Sequence, residues 1–323
     1  MASSYHIPAL ATDGANVIAL CERDHDPATD GGHIDIEARV SDDNGATWGA
    51  AQVVASDGVN CFRNPCVIGD AAASKFHLLY CSQIAAANEG AIRAGTHTVS
   101  VWYTFSDDGG ATWETPTDIT SAVRHADWRW YATGPGAGIV LASGRLLCGG
   151  NHSDPAYGGG SYPDKAHAIF SDDGGATWDR SSPFGPVGAN ETTVAQLDDD
   201  RLIASSRNQV AAFRIITYSS DEGDTWGTST VRGDMPGVAT EGAMLSVGSD
   251  LLHSGIFQSN RQNVSVWRSL DGGATWAGRG TVYSAGSSYS SMCLLPNGKV
   301  GVFYAQDQDT TMRFVDFDLA PPP

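Results

Sequence analysis

Positive charge is what this chain of 323 residues has least of: 19 Lys and Arg, only Lys75, Lys165 and Lys299 being lysines, stand against 37 Asp and Glu, giving a formal net charge of −18. That balance argues against nucleic acid or an anionic membrane as a partner. It offers no global attraction to an acidic glycan either, so an anionic ligand has to be held by a local cluster of arginines. Cysteine is equally sparse. Cys21, Cys61, Cys66, Cys81, Cys148 and Cys293 contain no CxxC pair, which excludes a disulfide scaffold and a zinc ribbon and leaves core thiols as the expectation. No apolar run approaches a membrane span, and the first residues lack the layout of a signal peptide, so a soluble chain without membrane insertion is expected. Long amphipathic helices are missing too.

What the chain has instead is one eight-residue pattern, Ser/x/Asp/x/Gly/x/Thr/Trp, five times. It begins at Ser41, Ser106, Ser171, Ser219 and Ser269, at intervals of 65, 65, 48 and 50 residues. Asp and Gly two apart suit a tight hairpin turn, where one side chain bonds its own backbone and the other residue takes φ > 0. The closing tryptophan of each copy (Trp48, Trp113, Trp178, Trp226, Trp276) offers apolar surface to a neighbour. Between copies run alternating segments such as VSVWYTFS and NVSVWRSL, rich in β-branched and aromatic residues. A repeat of this length accommodates four strands, and dividing the chain by it gives about six units. The expectation is an all-β, six-bladed β-propeller of four-stranded antiparallel blades, with 1–323 as a single domain. The sixth blade is expected from the C-terminal strands joined by the N-terminal strand near Val17 to Leu20. A calcium-loop reading fails on spacing. The repeat aspartates are turn residues, not catalysts.

The repeat resembles the Asp-box, and together with YHIPAL (Tyr5 to Leu10) the chain resembles the exo-sialidase family of six-bladed propellers over nearly its whole length. A bare Asp-box marks only a fold, so function rests on residues outside the repeats. The resemblance puts the acid/base aspartate at Asp30, 11 residues before Ser41, with Asp24 and Asp26 as competitors. It puts Glu191 and Arg207 at the ends of one segment, 16 apart, Arg261 upstream of the fifth repeat, and Tyr289 28 residues further on. Arg23 resembles an arginine near the substrate carboxylate. Trp128, Trp130 and Tyr131 are candidates for an N-acyl or sugar-stacking wall, or for packing between blades; Tyr157 and Tyr162 flank a possible rim. YATGPGAGI is not a dinucleotide fingerprint, because no strand-to-helix unit surrounds it. Asn190 and Asn263 stand in glycosylation sequons that arise often by chance.

The chemistry implied by the resemblance is coherent. A sialic acid carries a carboxylate on its anomeric carbon, so a carboxylate nucleophile would approach against like charge. A tyrosine is neutral until it reacts, and sialidases are the tyrosine exception among glycosidases. Glu191 would take the proton of Tyr289, Tyr289 would attack, and Asp30 would protonate the leaving oxygen and later activate water. Arginine suits the substrate carboxylate through its planar fork.

Two positions depart from the family pattern. Its first arginine, in Tyr-Arg-Ile-Pro, is here His6, and the glutamate that supports that arginine is here Ala305. Three explanations stand: a protonated His6 that donates one bond at acidic pH, compensation by Arg63 from CFRNPC, or a different sugar acid as substrate. The functional expectation is a retaining exo-glycosidase acting on terminal sialic acid or a related 2-keto-3-deoxy acid, working as a monomer without cofactor or metal. The alternatives are a non-catalytic glycan-binding propeller, or a hydrolase or lyase of another acidic polysaccharide.

Overall fold

The computed structural model describes residues 3–27, 31–158, 162–237, 240–258, 260–307 and 310–319, except for the side chains of Pro236 and Arg279. Strands make up nearly all of its regular structure. Two short helices, Glu89–Arg93 and Thr120–Val123, and one helical turn at Pro155–Tyr157 are the other elements among the described residues. No described helix is long and apolar enough to cross a membrane.

The strands form four hydrogen-bonded sheets that follow one another along the chain, except that Gly136–Ala137 pairs back in parallel with Cys61–Asp70 of the first sheet. The first runs from Ser4–Thr12 to Thr117–Asp118; the second holds Tyr131–Thr133 through Asp179–Arg180. The third comprises Ala189–Gln196, Leu202–Asn208, Phe213–Ser219 and Thr230–Pro236, each antiparallel to the next. The fourth runs from Ala243–Val247 to Thr311–Phe317 and turns on one long strand, Ala277–Leu294. That strand pairs with Gln262–Ser269 over its first half and with Val300–Gln306 over its second. The strand near Val17 to Leu20 pairs with its own neighbours, Ser4–Thr12 and Ile34–Ser41, not with the C-terminal strands. The expected closure by pairing the chain ends is therefore corrected. The sheets are open, and the ends meet through side chains.

Those side chains form a continuous apolar seam. Leu10, Val17, Ala19 and Cys21 pack with Cys293, Leu295 and Phe303, and Trp48 meets Phe314 edge-on at 5.2 Å between ring centroids. Two other junctions reuse the device. Trp178 packs on Tyr103 at 5.0 Å and Trp226 stacks on Phe184 at 4.4 Å. Burying one such ring is worth about 3 kcal/mol. All six cysteines are buried free thiols.

Each eight-residue repeat is a small hydrogen-bonded knot. In the third copy the Ser171 hydroxyl donates to Asp173 Oδ1 at 2.8 Å and accepts from the Gly175 N–H at 2.9 Å, while Thr177 donates its N–H and hydroxyl to Asp173. Bonds from Thr and Ser hold Asp43, Asp108, Asp173 and Asp271 down to about 2. Gly175 takes φ +94°, and a Cβ there would lie 2.1 Å from the Tyr103 hydroxyl, so only glycine lets the next unit approach.

Candidate active site

Three strands begin with the same irregularity, and the long strand Ala277–Leu294 carries it midway. Register shifts fall between His6 and Ala9, Arg63 and Cys66, Ala189 and Thr192, and Ser287 and Ser290. A bulge re-aims the side chain beside it, and these four turn His6, Arg63, Glu191 and Tyr289 toward one cavity of about 270 Å³. Two bulges share a sequence, aromatic–basic–x–Pro, in Tyr5-His6-Ile7-Pro8 and Phe62-Arg63-Asn64-Pro65. Ile7 and Asn64 both sit at φ 55°. Arg63 is thus presented as His6 is, from the next strand group.

At the cavity floor the Tyr289 hydroxyl donates to Glu191 Oε1 at 2.7 Å. Arg207 Nη1 donates to Glu191 Oε2 at 2.8 Å and to the Tyr289 oxygen at 3.0 Å, and its Nη2 donates to Gln209 at 3.1 Å. Arg261 lies 5.8 Å from the Tyr289 ring centre and also lines the cavity. Tyr289 is 6% exposed. Burial, then the Glu191 charge, hold its phenol well above the usual tyrosine range. It is therefore neutral at rest.

The structure brings Tyr289, Glu191, Arg207, Arg261, His6, Arg63 and Trp130 to this cavity. It does not bring Arg23 or Trp128. Arg23 alternates with Glu22 along one strand, so it faces away and pairs with Glu37 at 2.7 Å. Trp128 is buried against His152, ring centroids 3.4 Å apart and nearly parallel, with Arg180 5.2 Å from its ring; of its two readings, packing is the one seen. Tyr131 is likewise fully buried, bonded to His167, and the Tyr157 hydroxyl is bonded to His152. Asp30 lies outside the described residues.

Several contributors were not expected. Glu22, fully buried, accepts the Asn64 N–H at 2.6 Å and stands 3.4 Å from His6, whose other ring nitrogen is 3.8 Å from Asp24. Carboxylates thus do flank His6, but from a neighbouring strand; Ala305 is merely buried in strand Val300–Gln306. Glu89 and the amides of Asn64, Asn151, Asn190 and Gln209 complete a polar lining. The Asn190 amide donates to Asn151 and Asp164 and is 4% exposed, which leaves its sequon no room for a glycan. Strand alternation signals Glu22, since CERD places it on the face opposite Arg23. The amides carry no comparable signal.

The family profile described as BNR repeat-like domain matches residues 23–302. Among curated proteins, a sialidase of Micromonospora viridifaciens is 27% identical over 98% of this chain and 52% of its own length. A sialidase of Bacteroides fragilis is 23% identical over 94% and 60%. This chain spans about half to three-fifths of those relatives. Among solved structures, the Hadza microbial sialidase Hz136 superposes with a TM-score of 0.87 at 24% identity, covering 98% of this chain and 66% of that one. Trypanosoma rangeli sialidase with the inhibitor DANA gives 0.81 at 18% identity, covering 98% and 55%. These likenesses show a shared fold.

Proposed function

The chain belongs to the BNR repeat-like domain family, and from that premise we propose that it is a retaining exo-glycosidase of sialidase type, acting on terminal sialic acid or a related 2-keto-3-deoxy sugar acid. The observation that carries this reading is the Tyr289–Glu191–Arg207 cluster, with Tyr289 and Glu191 2.7 Å apart at the floor of an arginine-lined cavity. A glycan-binding propeller has no use for a buried tyrosine paired with a base. Among the described residues the nine-stranded sheet divides into two four-stranded units plus one short added strand, and the six-stranded sheet, with Ala277–Leu294 counted in both halves, into units of four and three, which supports a count of six blades within a single domain 1–323.

In the first half-reaction Glu191 accepts the Tyr289 proton as the phenolate oxygen bonds to the anomeric carbon. The leaving oxygen departs with a proton from Asp30. In the second, water deprotonated by Asp30 attacks the same carbon, Tyr289 leaves and regains its proton from Glu191, and configuration is retained. Arg207 steadies both partners: its Nη1 already bridges the phenol and the carboxylate, so charge moving between them stays beside a fixed cation.

The substrate carboxylate is assigned to Arg207, Arg261 and Arg63. His6 stands where the family keeps its first arginine, yet beside Glu22 and Asp24 it faces a negative environment. Arg63, carried on the twin bulge, is the cation better placed to replace it. The test is a panel of aryl glycosides of N-acetylneuraminic, deaminated, bacterial nonulosonic and 3-deoxy-octulosonic acids. Turnover of at least one is expected, with the product anomer retained by NMR. A folded protein that binds these sugars and cleaves none would overturn the assignment in favour of a glycan-binding propeller.

A further inference from the structure

Outside the cavity, three side chains with metal-ligating atoms converge at the base of one hairpin. Strand Val17–Asp24 pairs with Ile34–Ser41, and the last strand pair is Asp24 with Ile34. One step beyond it His25 and His33 face each other, joined by a backbone bond from the His25 N–H to the His33 carbonyl at 3.0 Å. Asp35, two residues after His33, lies on the same face by strand alternation. His25 Nε2 lies 2.8 Å from Asp35 Oδ2 and His33 Nε2 lies 2.9 Å from Oδ1. The imidazoles stack at 4.1 Å with 6° between planes, and all three ligand atoms fall within 4.8 Å of one another.

We propose that His25, His33 and Asp35 form a binding site for a divalent transition ion of the zinc class. Two imidazoles and one carboxylate match the ligand preference of zinc, cobalt and nickel. Calcium and magnesium take oxygen donors and are excluded by the same set. In a tetrahedral zinc site with bonds of about 2.0–2.2 Å, donors stand roughly 3.3 Å apart, within the span these atoms already occupy. The ion enters between the two ring nitrogens and the carboxylate, and each Nε2 exchanges its hydrogen bond to Asp35 for a bond to the metal. Parallel rings cannot both aim in-plane at one ion, so they tilt apart on binding. Each His side chain is 28% exposed and Asp35 is 7% exposed, which gives the rings room to move about a fixed carboxylate and leaves the fourth position open to water. A second close histidine pair, His152 and His167, is sealed behind Trp128 and has no third ligand among the described residues.

The site flanks the connection 26–32, but ion binding stands apart from the glycosidase reading and is measured without turnover. Zinc is titrated calorimetrically into the full chain after chelator treatment, and cobalt is added separately to read its visible ligand-field bands. One equivalent is expected, with four-coordinate cobalt bands. His25→Gln and His33→Gln are each expected to weaken binding at least tenfold, while His125→Gln, at an exposed histidine elsewhere, leaves it unchanged. Melting temperature verifies that the variants fold; Asp35→Asn is secondary because that carboxylate is buried. Absence of binding at millimolar zinc, or unaltered affinity in the His25→Gln/His33→Gln double variant, would overturn the proposal.

Discussion

The rim of repeat turns and the bulged strands around the cavity use the same kinds of residue to opposite ends. In the turns each aspartate is saturated by its own serine and threonine, so its charge is spent on the backbone and nothing is left to act on a ligand. In the cavity the polar groups are brought together from distant parts of the chain: Tyr289 and Glu191 are 98 residues apart in sequence, and Arg207 reaches both. Local satisfaction gives repetition and stability. Long-range convergence gives chemistry, and only the second needs bulges that break strand register.

This contrast is sharpest where activity and stability separate. Tyr289→Phe should cut kcat by roughly 10³-fold or more, since no other group on the floor can form the bond, while the melting temperature stays near that of the parent. Glu191→Gln should follow, with a loss of about 10²–10⁴-fold. If either variant lost its fold rather than its turnover, the cavity floor would be structural and the contrast would collapse.

Binding comes next. Arg63→Ala should raise KM tenfold to a hundredfold, about 1.5–3 kcal/mol for a charge-assisted contact, with a smaller change in kcat. His6→Ala should move KM less. The reverse order would return the first-arginine role to His6 and remove the argument from the twin bulge. Trp130→Ala and Trp128→Ala form a parallel pair: the former should alter KM, and the latter should lower the melting temperature by emptying the stack on His152.

The smallest effects belong to the turns. Asp108→Ala should lower the melting temperature by a few degrees and leave kcat/KM at 25 °C untouched. Acid should act the same way. Asp43, Asp108, Asp173 and Asp271 are depressed to about 2 from an ordinary 3.8 by bonds from their threonines. Their contribution is therefore complete above about pH 3.8 and is lost as pH falls toward 2. Thermal melts from pH 5 to 2 should show that decline, with a shallower slope in the Asp108→Ala variant.

The sequence made the rim far easier to read than the cavity. Five copies of one turn gave the all-β class because each is a local hydrogen-bonding solution spelled out in eight consecutive residues. Glu191, Arg207, Arg261 and Tyr289 were legible only through resemblance, since nothing local distinguishes a tyrosine at a bulge from one in a strand. Arg23 was expected beside the substrate carboxylate but pairs with Glu37, because a motif names neighbours without assigning faces; a one-residue step in a strand moves a side chain across the sheet. Trp128 and Trp130 precede strand Tyr131–Thr133 in irregular chain, where no alternation tells which of them reaches the cavity. Closure by pairing the chain ends failed because the strand near Val17 to Leu20 has both edges filled by Ser4–Thr12 and Ile34–Ser41, leaving side-chain packing to join the termini.

The central claim is that Tyr289 becomes covalently bonded to the sugar. Incubation with a 2,3-difluoro derivative of the sugar acid found to be turned over, followed by proteolysis and mass spectrometry, tests this directly. The expected result is one glycosyl adduct on Tyr289, absent from Tyr289→Phe. An adduct on a different residue, or turnover by Tyr289→Phe at the parent rate, would contradict the account.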